Sequence, residues 1–592
     1  MTDRLNSSYQ LDARTISPGS STLTAGVHRL EGYDVAICGG GPVGLALAYL
    51  LGRQGIRTVL FEKRPHTTTL PKGQSVHAST AELYRQWGVW DLLDKAGWPL
   101  SESNGQGYYL RVGLGPVAEV RQSDGSDNEY ANKWHELSPT TPRKVPASDY
   151  ESALRRQAAK WPSITLRFAT EVVDVKPTVN GLRLSVQDQL GGQHEIDASY
   201  LVACDGARSL IRSRTAQGED HGPTFGNQVL TEFRADLANT LGRDGYFHSF
   251  ILDPRYAGWF GSQHPDTKLW RYSFKHDEES LPEPAAVIAR IRGALGMPEL
   301  PIDIVKTWRF DYTTGLLRNW REGRVLFAGD AAHWHSPWGG FGANIGVQDA
   351  NNLAWKLALV VRGLASAELL DTYEAERKPK AQLAVKAATY NAMNFQAIVA
   401  STLVGEPTAI RDGKLSAVGE TFLREGVERH GASSILHVGF QFGTTYHSKI
   451  VMRDGASPPR NTILDYIEST VSGVRAPHVW LRDGAGHVVS TVDLWGRGFT
   501  LLAARAHATT WRLAAAKIEV ETGIPIEVVA IGPEGDYTAE EPKFERLYAV
   551  ANGDALLVRP DGFVARRLTT AGGADLLRET FMRLTCREVT PA

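Results

Sequence analysis

Three short stretches of this chain carry residues whose types and spacing suit the holding of a phosphorylated, hydroxyl-rich ligand. The first is Gly39-Gly40-Gly41-Pro42-Val43-Gly44, with an acid, Glu62, about twenty residues on. Gly39 suits a tight turn, Gly41 the close approach of backbone to a pyrophosphate, and Gly44 the packing of a helix on a sheet. A helix starting there aims its free N–H groups at the phosphates, and Glu62 can accept from a ribose hydroxyl. The second stretch is Asp205-Gly206-Ala207-Arg208-Ser209. The third is Gly329-Asp330-Ala331-Ala332-His333, followed by the glycine-rich loop 337–342 and by Asn344. Asp330 suits a polyol or ribose hydroxyl, and the start of the Asn344 helix suits an anion that develops on a ligand. Taken alone, an Asp-Gly after a strand also reads as an ordinary turn. His333 and His335 lack metal spacing to any acid, so capping or packing is their expected use and no metal site is expected.

The elements around these stretches are what position them. An apolar run at 33–38, a helix-forming run at 45–51 and a second apolar run at 58–61 make a strand–helix–strand unit. Asp205 and Asp330 each follow a further buried strand, near 201–203 and 324–328. Helices are expected at 79–87, with Ser79 or Thr80 as N-cap and Gly88 as stop, at 145–159, with Asp149 as cap and Leu154 inward, and at 343–361. Short strands are expected at 164–168, 171–175, 182–186 and 196–202. Between 229 and 274 the chain is aromatic, including Tyr246, Phe247, Phe250, Tyr256, Trp259, Phe260, Trp270, Tyr272 and Phe274. Runs 247–251 and 269–274 read as antiparallel strands. They present either a sheet face packed on a core or a wall for a flat apolar ligand. No arginine cluster lies among them, which favours an apolar substrate; Arg271 could bind a carboxylate or pair locally. From 476 a new α/β pattern begins, with strands at 478–481, 499–503, 526–531 and 555–558 and helices at 510–521 and 574–584. It resembles a thioredoxin-like module without C-x-x-C, so a structural or oligomeric role is expected.

A chain of 592 residues with formal net charge −2 has no basic field for nucleic acid and length for two to four domains. It holds no long uncharged apolar run, so no membrane span is expected. Cys38, Cys204 and Cys586 form neither a disulfide framework nor a metal motif. A cytoplasmic protein is expected, and a homo-oligomer.

In their order, the three stretches resemble the single-component flavoprotein aromatic hydroxylases of the p-hydroxybenzoate hydroxylase fold, and within them the phenol hydroxylase and dichlorophenol monooxygenase branch. The matching residues are Gly39 to Gly44, Asp205 to Ser209, Gly329 to His333 through Pro337, Gly339-Gly340, Asn344 and Gln348-Asp349-Ala350, with Asn352 to Leu357 and Leu370 to Arg377 downstream. The resemblance covers roughly 32–390 well and the last module more loosely. It implies an α/β protein: a Rossmann-type FAD-binding domain interleaved with an antiparallel-sheet substrate domain, plus a C-terminal thioredoxin-like domain. The implied partition is an arm over 1–30, FAD-binding segments over 31–105, 201–225 and 321–400, mixed segments over 106–200, the substrate sheet over 226–320, a helical linker over 401–470 and the last module over 471–592.

The resemblance further implies FAD, held by Gly39, Gly41, Pro42, Gly44, Glu62, Lys63, Lys72, Asp205, Gly206, Gly329, Asp330, Pro337, Gly340, Gly342, Ala343 and Asn344. Glu62 would take the adenosine ribose and Asp330 the ribityl chain, and the 339–344 loop would face the pyrimidine edge of the flavin. NADPH or NADH would be a transient co-substrate and O2 the oxygen source. A flavin C4a-hydroperoxide would then hydroxylate a small phenol-like aromatic substrate. Among residues that could engage the ring hydroxyl, His248, Tyr246, Tyr272 and His264 stand out, and Pro337 would shape the flavin-side wall. An aromatic-compound sensor that binds FAD without turnover, an FAD-dependent dehydrogenase and a Baeyer–Villiger oxygenase are the alternatives. The chain departs from the family where Lys72 and Ser79 replace common arginines, where Ala147 replaces a glutamine, and where Trp338 follows Pro337. These departures imply looser FAD binding or an outward resting flavin.

Overall fold

The computed structural model describes residues 28–69, 73–98, 105–121, 134–216, 218–242, 246–262, 268–401, 415–550 and 552–587. Most of the expected arm, Lys72 and His264 lie outside the described residues. The strand–helix–strand unit forms as His28–Cys38, Pro42–Arg53 and Thr58–Glu62. Its strands run parallel, with Val35 opposite Thr58 and Cys38 opposite Phe61. Val35, Ala36, Ile37, Val59 and Leu60 are fully buried, as unbroken apolar runs in parallel strands require. Among the described residues the sheet runs in the order Arg321–Glu322, Val325–Phe327, Gln193–Ala203, His28–Cys38, Thr58–Glu62, Ile164–Phe168. Strand Leu182–Asp188 extends it by antiparallel pairing with Gln193–Ala203, and Thr170–Pro177 pairs in turn with Leu182–Asp188.

This order explains why residues far apart in sequence can share a site. Cys38 lies opposite Ala203, and Ala203 lies opposite Phe327, all in parallel strands. The chain therefore leaves the sheet at the same edge three times. It does so into Gly39-Gly40-Gly41, into Asp205-Gly206 and into Gly329-Asp330. Ligands of open parallel sheets bind beyond that carboxyl edge.

A second sheet has the order Asp303–Tyr312, Phe225–Arg234, Leu269–Lys275, Gly258–Ser262, Tyr246–Ile251, Gly105–Tyr109, Ala118–Arg121. It is antiparallel except where Tyr246–Ile251 and Gly105–Tyr109 run parallel. Alternation of side chains divides it into two faces. One face packs Val229, Phe233, Phe260, Trp270, Tyr272 and Phe274 against Val287, Ile291 and Leu295 of helix Pro284–Leu295. The other face carries Leu230, His248, Phe250, Trp259, Arg271, Trp308, Phe310 and Tyr312 toward a cavity.

The last module is a mixed sheet centred on Phe499–Ala504, which pairs in parallel with Ile526–Ile531 and antiparallel with Ala555–Val558. Helices Ala508–Thr522 and Gly573–Leu584 cover one face and helix Pro542–Tyr548 the other. The strand expected at 478–481 falls at Trp480–Asp483. The first face also receives Trp355 and Leu359 from helix Phe341–Val361 and Leu369 from the short helix Ala367–Leu370. Buried charges fasten this junction. Arg559 donates to both oxygens of Glu376 at 2.7 Å and to Asp561, and Lys356 donates to Glu376 at 2.7 Å.

Several sequence expectations are corrected. Helix Ala78–Gln86 has no cap from Ser79 or Thr80. The His77 N–H instead donates to Asn344 Oδ1 at 2.9 Å and the Ala78 N–H to Gln441 Oε1 at 2.8 Å, so distant side chains supply the cap. Helix Ala147–Ala158 starts after Pro146 with no side-chain cap, and Asp149 lies in its first turn. Helix Phe341–Val361 begins two residues earlier than expected, because Gly340 turns at φ +66°. The expected helical linker is helical over Ala417–Gly431, whereas most of 443–479 is irregular.

Candidate active site

At the carboxyl edge of the first sheet the glycines have distinct surroundings. Gly39 sits at φ +110°, and a Cβ there would lie 2.3 Å from the Cys204 carbonyl oxygen; one on Gly44 would lie 2.0 Å from the Gly39 carbonyl oxygen. These two glycines serve the packing of the chain on itself. Gly41 differs: a Cβ there would meet nothing within 4 Å, so its surface is free for a ligand. Gly206 likewise opens onto free space, at φ +86°. Pro42 occupies the first turn of helix Pro42–Arg53, where its missing N–H costs nothing.

Glu62 is buried. Its Oε2 accepts from the Gly40 N–H at 2.8 Å, and its Oε1 accepts from the Arg64 N–H at 3.0 Å and from Arg64 Nε at 2.7 Å. Burial alone would raise its pKa, but the Arg64 and Gly40 bonds outweigh burial and hold the carboxyl below the usual range. A carboxylate accepts about four hydrogen bonds, so capacity for a ribose hydroxyl is left. Lys63 is exposed, with Nζ 3.8 Å from Glu171.

The Asp205 and Asp330 turns are tied together. Arg212 donates to the Ala207 carbonyl at 2.6 Å and to the Ala331 carbonyl at 3.1 Å, and its Nε donates to Glu219 at 2.7 Å. Ser209 caps the Arg212 helix. Behind Gly329, the buried Asp349 accepts from His333 at 2.7 Å, from Arg377 at 2.8 Å and from the Gly329 N–H at 3.3 Å. Burial works against this carboxylate, and Arg377 with His333 more than offsets it, leaving the pKa low. His333 is thus a support for the turn. Asn344 is another: its Oδ1 holds the His77 N–H, and its Nδ2 donates to the Ser75 and Gly340 carbonyls at 2.8 and 2.6 Å.

Buried polar atoms here without a protein partner include Asp205 Oδ1, His333 Nδ1 and His335 Nε2. Burial raises the Asp205 pKa above the usual range despite bonds from Ser209 and Ile211. The N–H groups that open helix Phe341–Val361 follow Gly340 with no side-chain cap. A free backbone at Gly41, an orphaned acid oxygen at Asp205, an exposed Asp330 and an uncapped helix start along one edge fit a flavin dinucleotide.

That edge opens into a cavity of about 540 Å³. Asp330, His335 and residues 336–343 line one part of it; Gln74, Ser75, Pro142, Arg143 and Lys144 line another. The free face of the second sheet closes it with Phe250, Trp259, Trp308, Phe310 and Tyr312. Trp338 stacks on Phe250 and Phe395 at 5.4 and 5.2 Å between centroids, joining the glycine-rich loop to the sheet. His248 packs 4.9 Å from the Trp259 ring. Burial, then Lys144 and Arg271, push its imidazole down to about 3.

Residues 32–388 match the FAD binding domain family, and residues 469–586 match the aromatic-ring hydroxylase, C-terminal family. The chain is a single-component FAD-dependent aromatic-ring hydroxylase. It is 32% identical to the tetracenomycin B2 monooxygenase-dioxygenase of Streptomyces olivaceus over 91% of its own length and 95% of that protein's. It is 29% identical to the 2,4-dichlorophenol 6-monooxygenase of Cupriavidus pinatubonensis over 91% and 93%. The flavin-dependent monooxygenase PieE, solved with FAD and substrate, superposes with a TM-score of 0.85 at 27% identity over 94% of this chain and all of that one.

Of the hydroxylase's expected ring-hydroxyl partners, His248 lines the cavity, as does Pro337, expected on the flavin-side wall. Tyr272 and Tyr246 do not. Tyr272 is fully buried on the helix-packed face, stacked on Phe260 at 4.4 Å, with its hydroxyl donating to the Tyr256 carbonyl. Tyr246 packs in the same core and bonds Glu119 and Arg121. Arg271 pairs locally, bonding Glu232 at 3.1 and 3.0 Å, and it also lines the cavity. The absence of an arginine cluster in the aromatic stretch points to a largely apolar substrate, but Lys144, from outside that stretch, joins Arg271 at the cavity. Lys144 carries no signal in the sequence; it reaches the site through strand Arg143–Lys144, which pairs with Ser75–Val76. Trp98, Trp308 and Phe310 were equally unmarked. Ser79 accepts from Gln348 Nε2 at 3.1 Å and Ala147 opens a helix, so neither stands in for the residue it replaces.

Proposed function

We propose that this hydroxylase acts on a multi-ring phenol, with NADPH or NADH as electron donor and O2 as oxygen source. The observation that carries the reading is the single cavity that runs from the Asp330 and glycine-loop edge to a wall of Trp259, Trp308, Phe310 and Tyr312. A flavin edge and a flat substrate can meet inside it. The four aromatic side chains along that wall offer a broader flat surface than one phenol ring covers. The name of the tetracenomycin relative points the same way.

In this reading Gly41 would give backbone to the pyrophosphate, Glu62 would hold the ribose, Asp330 would hold the ribityl hydroxyls, and the start of helix Phe341–Val361 would serve the flavin ring. FAD held there would supply hydride acceptance from the nicotinamide and transfer of one atom of O2 to the ring. The protein does the rest. The aromatic face and Trp338 hold the substrate ring flat and exclude water. His248, kept neutral by its surroundings, offers a hydrogen bond to a ring hydroxyl. Pro337 and Gly339-Gly340 shape the flavin-side wall.

The test is NADPH and NADH oxidation by the FAD-loaded protein against single-ring phenols, pyridinols and polycyclic phenols, with peroxide counted in parallel and 18O2 used to label product. Fast oxidation with little peroxide and one labelled oxygen in a polycyclic product is expected. Stimulation by single-ring phenols alone would overturn the substrate class. Turnover without label would overturn oxygen transfer.

A further inference from the structure

The cavity gathers charge that the reading above does not use. Lys144, from strand Arg143–Lys144, is buried, and its Nζ lies 4.2 Å from the centre of the Trp98 ring, itself part of the lining. Arg271, from strand Leu269–Lys275, reaches the same cavity and is braced by Glu232 of strand Phe225–Arg234. His248 and Tyr312 come from two further strands. Burial, then the charge of Arg271, push the Lys144 ammonium down to about 7, and Lys144 and Arg271 both act on His248. Two basic side chains from separate elements thus converge on the aromatic end of a substrate cavity. Among its described lining residues the one carboxylate is Asp330, in the turn before the glycine loop.

We infer that Lys144, backed by Arg271, is the seat of an anionic oxygen on the aromatic substrate, a ring hydroxyl held as its phenolate. The inference rests on the hydroxylase reading for the substrate class. A hydroxyl set against a neutral Lys144 gives its proton to Nζ: the O–H bond breaks, an N–H bond forms, and a phenolate–ammonium pair results with no other reactant. An amine poised near neutral pH suits this transfer. Arg271, fixed by Glu232, supplies a cation that does not titrate. The phenolate raises electron density on the ring, which electrophilic oxygen transfer requires. A substrate carboxylate would present the same oxyanion, so the experiment separates the two.

The experiment uses the full-length, FAD-loaded, oxidised protein without reductant. Quinizarin, whose visible band moves to the red of flavin absorption on ionisation, is titrated into wild type, Lys144→Met and Lys144→Arg. The wild type is expected to bind quinizarin as its anion, with the dye's apparent pKa lowered by about one unit or more. Lys144→Met is expected to bind it neutral and about tenfold more weakly, and Lys144→Arg to restore the anion band. Flavin absorbance of each variant reports intact FAD binding. Lys144-dependent capture of anthraquinone-2-carboxylate, with no hydroxyquinone bound, would keep the oxyanion seat and assign it to a carboxylate. An identical quinizarin spectrum in wild type and Lys144→Met, or no uptake of either dye by wild type, overturns the inference. These readings need no turnover, so they stand or fall separately from the oxidation assay.

Discussion

Gly41→Ala isolates the contact between the glycine loop and the cofactor. In most glycine motifs a substitution damages the protein and the ligand site together. Here the surroundings separate the two. A Cβ on Gly41 meets nothing within 4 Å, and the residue sits at φ −78° and ψ −173°, where alanine is unstrained. The apoprotein should fold as wild type. The methyl group would instead stand where the pyrophosphate must approach. Displacing it forfeits one or two hydrogen bonds to a charged oxygen, each worth about 1.5–3 kcal/mol. FAD affinity should then fall by a factor of about ten to more than a hundred, at about 1.4 kcal/mol per decade. Gly44→Ala is the contrast: its Cβ would lie 2.0 Å from the Gly39 carbonyl oxygen, so it should destabilise the apoprotein as well. FAD titration by flavin fluorescence, with thermal unfolding of both apoproteins, measures the two effects apart. A Gly41→Ala protein that binds FAD within twofold of wild type would refute the placement of the pyrophosphate against Gly41. An apoprotein melting well below wild type would refute the claim of open space.

Three further outcomes are expected. Arg559→Met leaves Glu376 and Asp561 buried without their shared guanidinium, which should cost about 3–5 kcal/mol; a melting temperature equal to wild type would show that the junction does not depend on it. His248→Phe should keep full FAD content yet divert NAD(P)H oxidation toward peroxide, and an unchanged ratio of product to peroxide would remove His248 from the ring-hydroxyl contact. Stability should fall on acidification. Burial lowers the folded-state pKa of His248 to about 3, of His437 to about 4 and of His77 well below its ordinary value, while the unfolded chain keeps about 6.5. Below pH about 6.5 the unfolded state therefore binds more protons. Each histidine withdraws up to about 1.4 kcal/mol per pH unit until its folded pKa is reached. Urea unfolding at pH 7.5 and 5.5 reads this directly, and equal midpoints would contradict it.

Legibility in the sequence followed the range of the interactions involved. The glycine loop, Glu62, Asp205 and Asp330 could be read because each belongs to a local strand-to-turn pattern, and parallel pairing brings the turns to one edge whatever lies between. The aromatic stretch was harder. Tyr272 and Arg271 are neighbours in sequence, yet alternation sends one into the helix-packed core and the other to the cavity. Composition marks the strand but not its register, so it could not say which rings face the substrate. Lys144 was invisible for a different reason. Its place depends on a two-residue pairing with Ser75–Val76, too short for any periodicity to announce. The caps of helix Ala78–Gln86 come from Asn344 and Gln441, hundreds of residues away. The turns proposed to hold the cofactor are ones that local sequence encodes. The residues that would choose and ionise the substrate sit on side chains that tertiary pairing brings together. It follows that variants at Gly41 or Asp330 should act alike on every substrate, whereas variants at Lys144, His248 or Trp308 should change the order of preference among them. A panel of phenols run on both sets would expose the opposite pattern if this division of labour were false.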